Sequence, residues 1–141
     1  MIKRSSFLSL FLGLLLFFAS AMTSADELVQ IWQSPDKGVT HYLELASIQR
    51  NSELVIMSRI VNYLPPYLRR INRRTYASQR IITEFDCKKM QLRQLSAHWH
   101  EGELGSGAIL NQENRPDIWE VATYDVFTEP LWKIACDPQQ S

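Results

Sequence analysis

Between residues 40 and 122 apolar and polar positions alternate in short runs broken by turn residues, which is the period of β-strands. Residues 40–46 read as one strand and 54–63 as the next. In the latter, Leu54, Ile56, Ser58 and Ile60 form one alternate set, and Val55, Met57, Arg59, Val61 and Tyr63 the other. Both sets are largely apolar, which predicts a central strand, and Pro65 and Pro66 are expected to stop it because proline removes a ladder donor. Residues 78–87 put Ile81, Thr83, Phe85 and Cys87 on one face and Glu84 and Asp86 on the other. Residues 91–100 put Leu95, Ala97 and Trp99 on the core side, with Gln94, Ser96, His98 and His100 on a polar side.

Shorter pieces complete the pattern. Trp32 ends a short first strand, followed by a turn over residues 34–38. Residues 47–52 read as a polar connection, 88–89 as a turn and 102–107 as a glycine-rich turn. A short edge strand is expected over 108–110, a loop over 111–117 and a last short strand over 118–122. The tail changes period: Phe127, Leu131, Ile134 and Ala135 recur at helical spacing. Asp125 or Thr128 would cap this helix, and a start near Thr128 keeps Pro130 in the first turn. Asp137 and Pro138 end it. Trp132 lies off the apolar stripe and is the tryptophan expected to be exposed, whereas Trp32, Trp99 and Trp119 fall at core positions. So short a helix needs packing to persist. The fold class expected is α+β: an antiparallel sheet of about six strands, a short C-terminal helix packed on it, and one disulfide.

The first 25 residues look like a secretory signal peptide: Lys3 and Arg4, an apolar stretch from Phe7 to Phe18, then small residues with cleavage sites after Ala21 or Ala25. The apolar stretch is short of the roughly 20 residues that span a bilayer. The expectation is a mature domain over residues 26–141, exported to periplasm or cell surface, with no membrane span and no lipid anchor, because no cysteine lies near the cleavage region. The whole chain has 15 basic and 15 acidic residues, and removing the signal takes Lys3 and Arg4 and no acid. The remaining balance of about −2 argues against nucleic acid as a partner. Cys87 and Cys136 are the two cysteines of the chain. In an oxidising compartment such a pair is expected to join.

Several residues in order also carry a family likeness. They are Trp32, the run from Tyr42 to Ile48, Ser78 leading into Phe85, Asp86 and Cys87, then Arg93, Gly102, Trp119 to Val121, and Cys136. With this order and spacing the chain resembles the surface-adhesin protein E-like domains of Gram-negative bacteria. The resemblance implies an antiparallel sheet with a C-terminal helix held to it by the disulfide, and a cell-surface or periplasmic role. The founding member is an adhesin that binds host matrix and serum proteins and can dimerise, so the expected partner is a host or envelope protein or glycan. The chain departs from that member in lacking its lipid-accepting cysteine, and it has residues 122–125 where the family often has a Pro-Gly-Ser-like cap.

The candidate ligand-binding residues are Arg69, Arg70, Arg73 and Arg74, flanked by Tyr67 and Tyr76, with Arg80 a further member. Clustered guanidinium groups suit sulfate, phosphate or carboxylate groups, so a protein or an anionic glycan is the expected partner. His98 and His100 share a strand face at a spacing that suits a metal. They need a further ligand such as His41, Glu101 or Glu103, and nothing in the sequence brings one close, so no metal is expected. No nucleophile, zinc or phosphate-loop motif occurs. The expected function is an exported, non-catalytic binding domain without cofactor. The alternative is a periplasmic envelope-maintenance protein with no adhesin role. An exposed sheet edge invites pairing into a homodimer.

Overall fold

The computed structural model describes residues 27–69, 73–122, 126 and 128–137, with residue 69 as backbone alone. The signal segment, Arg70, Asp125 and Phe127 lie outside the described residues. The chain forms strands β1 (Leu28–Gln33), β2 (Val39–Glu44), β3 (Gln49–Asn51), β4 (Leu54–Arg69), β5 (Arg74–Asp86), β6 (Gln91–His100), β7 (Ile109–Glu113) and β8 (Glu120–Val121), then helix α1 (Thr128–Cys136). All eight strands lie in one antiparallel sheet ordered β1-β2-β4-β5-β6-β7, with β3 on β4 and β8 on β6. The sheet has eight strands where about six were expected: six form the main path, the short β8 falls within the last strand expected over 118–122, and the segment 49–51, which the sequence presents as a polar connection, is a strand as well.

Opposite residues in antiparallel register share a face. One face therefore carries Leu43, Arg59, Ile81 and Ala97 as a row across β2, β4, β5 and β6. Helix α1 covers one end of this face. Leu131, Trp132 and Ala135 bury against Leu43, Val55, Met57, Phe85 and Ala122, and the Phe85 and Trp132 rings meet edge-on with centroids 6.0 Å apart. Trp132 is thus a core residue at 8% exposure, contrary to expectation. A two-turn helix packed against a sheet offers more than one stripe to the core. A second apolar cluster at the far end of the same face holds Val61, Tyr76, Ile81, Ala97 and Trp99. Trp99 lies in the core as expected, while Trp32 and Trp119 are half-buried.

The helix is tied down at its C-terminal end. Cys87 and Cys136 form the disulfide. Arg50 on β3 donates from both terminal nitrogens to the carbonyl oxygens of Ala135 (2.5 Å) and Ile134 (2.9 Å). These carbonyls lie in the last turn, where a helix lacks its own donors and carries negative partial charge. Strand β3 therefore has a purpose: it places one cation under the end of α1.

Several strand limits differ from expectation, and some of the differences have a local reason. Strand β4 runs on through Pro65 and Pro66 because β2 ends opposite Tyr63, so no β2 neighbour needs their missing donors. The β4–β5 register shifts between Asn62 and Tyr67 to accommodate them. Strand β5 correspondingly begins at Arg74, not at residue 78. Strand β2 stops at Glu44, where residues 45–47 turn as a short 3-10 segment. In β6 a bulge opposite Ile82 and Thr83 sits at Leu95, which reverses the inward set on its far side. Leu95 is consequently half-buried and outside both clusters, and Leu92 and Gln94 face inward with Phe85 and Thr83. Strand β7 reaches Glu113, into the expected loop, and the last strand shrinks to Glu120–Val121.

The Arg50 clamp and the disulfide make separable contributions. Cys87 and Cys136 are 49 residues apart, and closing a loop of that length is worth about 4 kcal/mol on the chain-entropy account. C87S/C136S is expected to lower unfolding stability by about that amount in guanidinium titration. Arg50→Ala should cost about 1–3 kcal/mol through the lost charged hydrogen bonds. An unchanged midpoint for Arg50→Ala would show that the disulfide alone holds the helix.

Candidate binding site at the β4–β5 hairpin tip

Strand β2 leaves β4 at Tyr63, and β6 leaves β5 at Ser78. Beyond these points β4 and β5 continue as a two-stranded ribbon, pairing Tyr67 with Tyr76, Leu68 with Thr75 and Arg69 with Arg74. A bare ribbon of two strands is marginal in water. This one is backed by rings: Tyr63, Tyr67 and Tyr76 lie 5.4–5.7 Å apart by centroid, and Tyr76 meets Trp99 at 6.3 Å. Arg74 ties the ribbon to β7 by donating from Nη1 to the Leu110 carbonyl at 2.9 Å. Burial, foremost, and the neighbouring Tyr76 push the Tyr63 phenol up to about 12, so it stays neutral as it donates to Gln79 Oε1 at 3.2 Å. The outer surface of the ribbon is apolar and aromatic: Leu64, Tyr67 and Leu68 are all more than half exposed.

Of the four candidate arginines, Arg73 and Arg74 are exposed at the tip, with Arg73 at a positive φ of 51°. Arg69 has its backbone in the final ribbon pair, and Arg70 lies outside the described residues. Arg80 does not join them. It lies on the opposite face of the sheet, paired with Glu44 at 2.7 Å. Alternation decides this, since Arg80 faces Ile60 and not Arg59 across the ladder.

The same opposite face carries a polar network that single-residue patterns do not signal. Glu44 accepts from Arg80 and, through a very short contact, from the Ser58 hydroxyl, while Ser47 Oγ accepts from the Ser58 amide at 2.8 Å. Nearby, Arg93 pairs with Glu84 at 2.7 Å and lies 4.4 Å over the Trp119 ring, which fastens β8 and its approach to the sheet edge. The turn over residues 102–107 folds onto this face. There Ser78 Oγ donates to the Gly102 carbonyl and accepts from the Gly105 amide. Gly105 has a φ of +74°, and a Cβ there would meet Arg80 at 3.0 Å, so both backbone and space call for glycine.

The two strand histidines do not form a pair of exposed polar groups. His98 reaches Asn114 Oδ1 at 2.7 Å, whereas His100 is buried at 4% exposure beneath the glycine-rich turn. His41 faces the other side of the sheet, opposite Val61. Among the described residues no group of three or more His, Cys, Asp or Glu is placed to hold a metal. No helix among them is long and apolar enough to cross a membrane.

These features define an adhesin-like α+β domain: one antiparallel sheet, a disulfide-tethered terminal helix and a basic, ring-backed ribbon. The chain belongs to the surface-adhesin protein E family, whose model matches residues 28–137. Crystal form II of Haemophilus influenzae protein E has the same fold, with a TM-score of 0.57 at 18% identity, covering 76% of this chain and 86% of that one. A selenomethionine form of the Haemophilus influenzae protein gives 0.55 at 17% identity, covering 75% and 85%. No curated protein matches the chain.

The buried histidines give the domain an acid limit. Burial, with help from the Arg59 charge, pushes His41 down to about 4, and burial followed by the Arg80 charge lowers His100. The unfolded chain then binds these protons more readily than the folded one. Stability should be complete above pH about 6.5 and fall as the pH drops toward about 4. Thermal melts across that range should show the decline, and His41→Gln should flatten it. A melting temperature constant from pH 7 to 4 would contradict it.

Proposed function

We propose that the protein is an exported, non-catalytic binding domain, residues 26–141 after removal of a signal peptide over 1–25. It works at the cell surface. Its contact surface is the tip of the β4–β5 ribbon, and its partner carries anionic groups, on a protein or a glycan. One observation carries this reading. The ribbon projects past its neighbouring strands and displays exposed Leu64, Tyr67 and Leu68 alongside the Arg69, Arg70, Arg73 and Arg74 sequence.

The physical logic is local. A net charge near −2 gives no long-range attraction to anions, but fields act within a Debye length of about 8–10 Å. Guanidinium groups grouped at one tip act inside that distance and bind oxyanions in a fork geometry. The adjacent rings and leucines add apolar area that would stay dry on contact, which is how aromatic and arginine side chains act at interface centres. The rings beneath hold the ribbon in place before binding, so less ordering is lost on contact.

Retention on immobilised heparin tests the anionic part of this reading. The unaltered domain should be held and released by salt. R70E/R73E should lose roughly 10- to 100-fold in affinity, as expected for charged hydrogen bonds of about 1.5–3 kcal/mol. Its unfolding midpoint should not move, because the tip adds little to the core. Equal retention of the two proteins would overturn the assignment of the tip.

A further inference from the structure

A second site lies where the core is interrupted. The two apolar clusters on the helix-covered face do not merge. Between them, Thr83 and Gln94 sit directly opposite one another on β5 and β6. Phe85 opposite Leu92 brackets this polar pair on one side, and Ile81 opposite Ala97 on the other. All of these but Ala97, together with Arg59 and Arg93, line a recess of about 230 Å³ walled by Leu131 of α1. Asp117 and Glu120, both exposed, stand at the rim on the segment leading into β8.

The chemistry of the recess is specific. Thr83 is 8% exposed, Gln94 is half-buried, and both line the recess. Polar groups in such places take hydrogen-bond partners, and a ligand in the recess can supply them. Side chains directly opposite in a ladder are about 5 Å apart, within reach of a single amide group. The carboxamide supplies both a donor and an acceptor, and the hydroxyl does the same. Flanking apolar pairs offer a place for a methyl group. Carboxylates at the rim accept from hydroxyls, and Asp117 and Glu120 balance the charges of Arg59 and Arg93, so the lining as a whole suits a neutral molecule. The volume falls below the ~300 Å³ at which sites for drug-sized molecules begin, which restricts the occupant to one small unit.

We propose that this recess binds an N-acetylated hexosamine unit. Its acetamido group bonds to Gln94 and Thr83, its methyl packs against the Phe85–Leu92 end, and its ring hydroxyls face Asp117 and Glu120. The site is separate from the hairpin tip, and the sugar it takes is neutral. It stands whether or not the tip binds anions.

The test is an NMR titration of the isotope-labelled domain with N-acetylglucosamine, and with glucose as the sugar lacking the acetamido group. Saturable shifts are expected at the Gln94 side-chain amide and the Leu92 and Thr83 backbone amides. The dissociation constant should be of the order of 1 mM, as befits so small a ligand. Glucose should produce none of them. Gln94→Leu and Thr83→Val should each weaken binding about tenfold, and Thr83→Val preserves shape if Gln94→Leu fails to fold. R70E/R73E should bind the sugar as the unaltered domain does. No saturable shift, equal shifts with glucose, or full binding by Thr83→Val would each overturn the proposal.

Discussion

The β4–β5 ladder is the constraint on which the rest depends. It runs from Leu54 opposite Asp86 to Arg69 opposite Arg74, interrupted by the shift at the prolines. Because side chains alternate across a strand, fixing this register fixes two surfaces together. The inward set, Val55, Met57, Val61, Ile81 and Phe85, feeds both apolar clusters. The outward set brings Ser58 and Arg80 to Glu44, so an almost wholly buried carboxylate has its counter-charge and a hydroxyl donor. A one-residue slip would bury Arg80 with the helix and send Phe85 to the polar side. The ladder also outlasts its neighbours, and its surplus length is the projecting ribbon.

Closure of the helix depends on that ladder at its other end. Cys87 follows directly on β5, and Arg50 lies opposite Val55 on the same face. The disulfide and the guanidinium therefore grip α1 from the two strands beside β4. Only one end of the inward face is covered by this helix. The far end is closed by rings instead, from Tyr63 through Tyr76 to Trp99. The division of the core into a helix-covered part and a ring-covered part leaves the gap occupied by Arg59, Thr83 and Gln94.

Most of the sheet was legible because alternation is a short-range property. Residues 91–100 form a strand at the bounds expected, α1 starts at Thr128 with Pro130 in its first turn, and the disulfide joins Cys87 to Cys136. What was not legible depends on neighbours. Pro65 and Pro66 break a strand only when a partner needs their amides, and the sequence does not say that β2 has ended. Leu95 reads as a core residue unless the bulge beside it is known. Trp132 reads as exposed from the stripe alone, but the helix meets a sheet broad enough to bury it. Arg80 is near the arginine run in sequence, yet parity sends it to the other face. Of the candidate site, the basic run was visible as composition. The rings that support it, and the projection of the ribbon, arise from pairing across the ladder.

The central claim is that this domain meets its partner outside the cell. Protease treatment of intact cells, read with antibody to the mature domain, tests it most directly. Digestion without lysis is expected, because a ribbon that contacts an external partner must be exposed there. Protection until the outer membrane is opened would contradict it, and would place the domain in the periplasm.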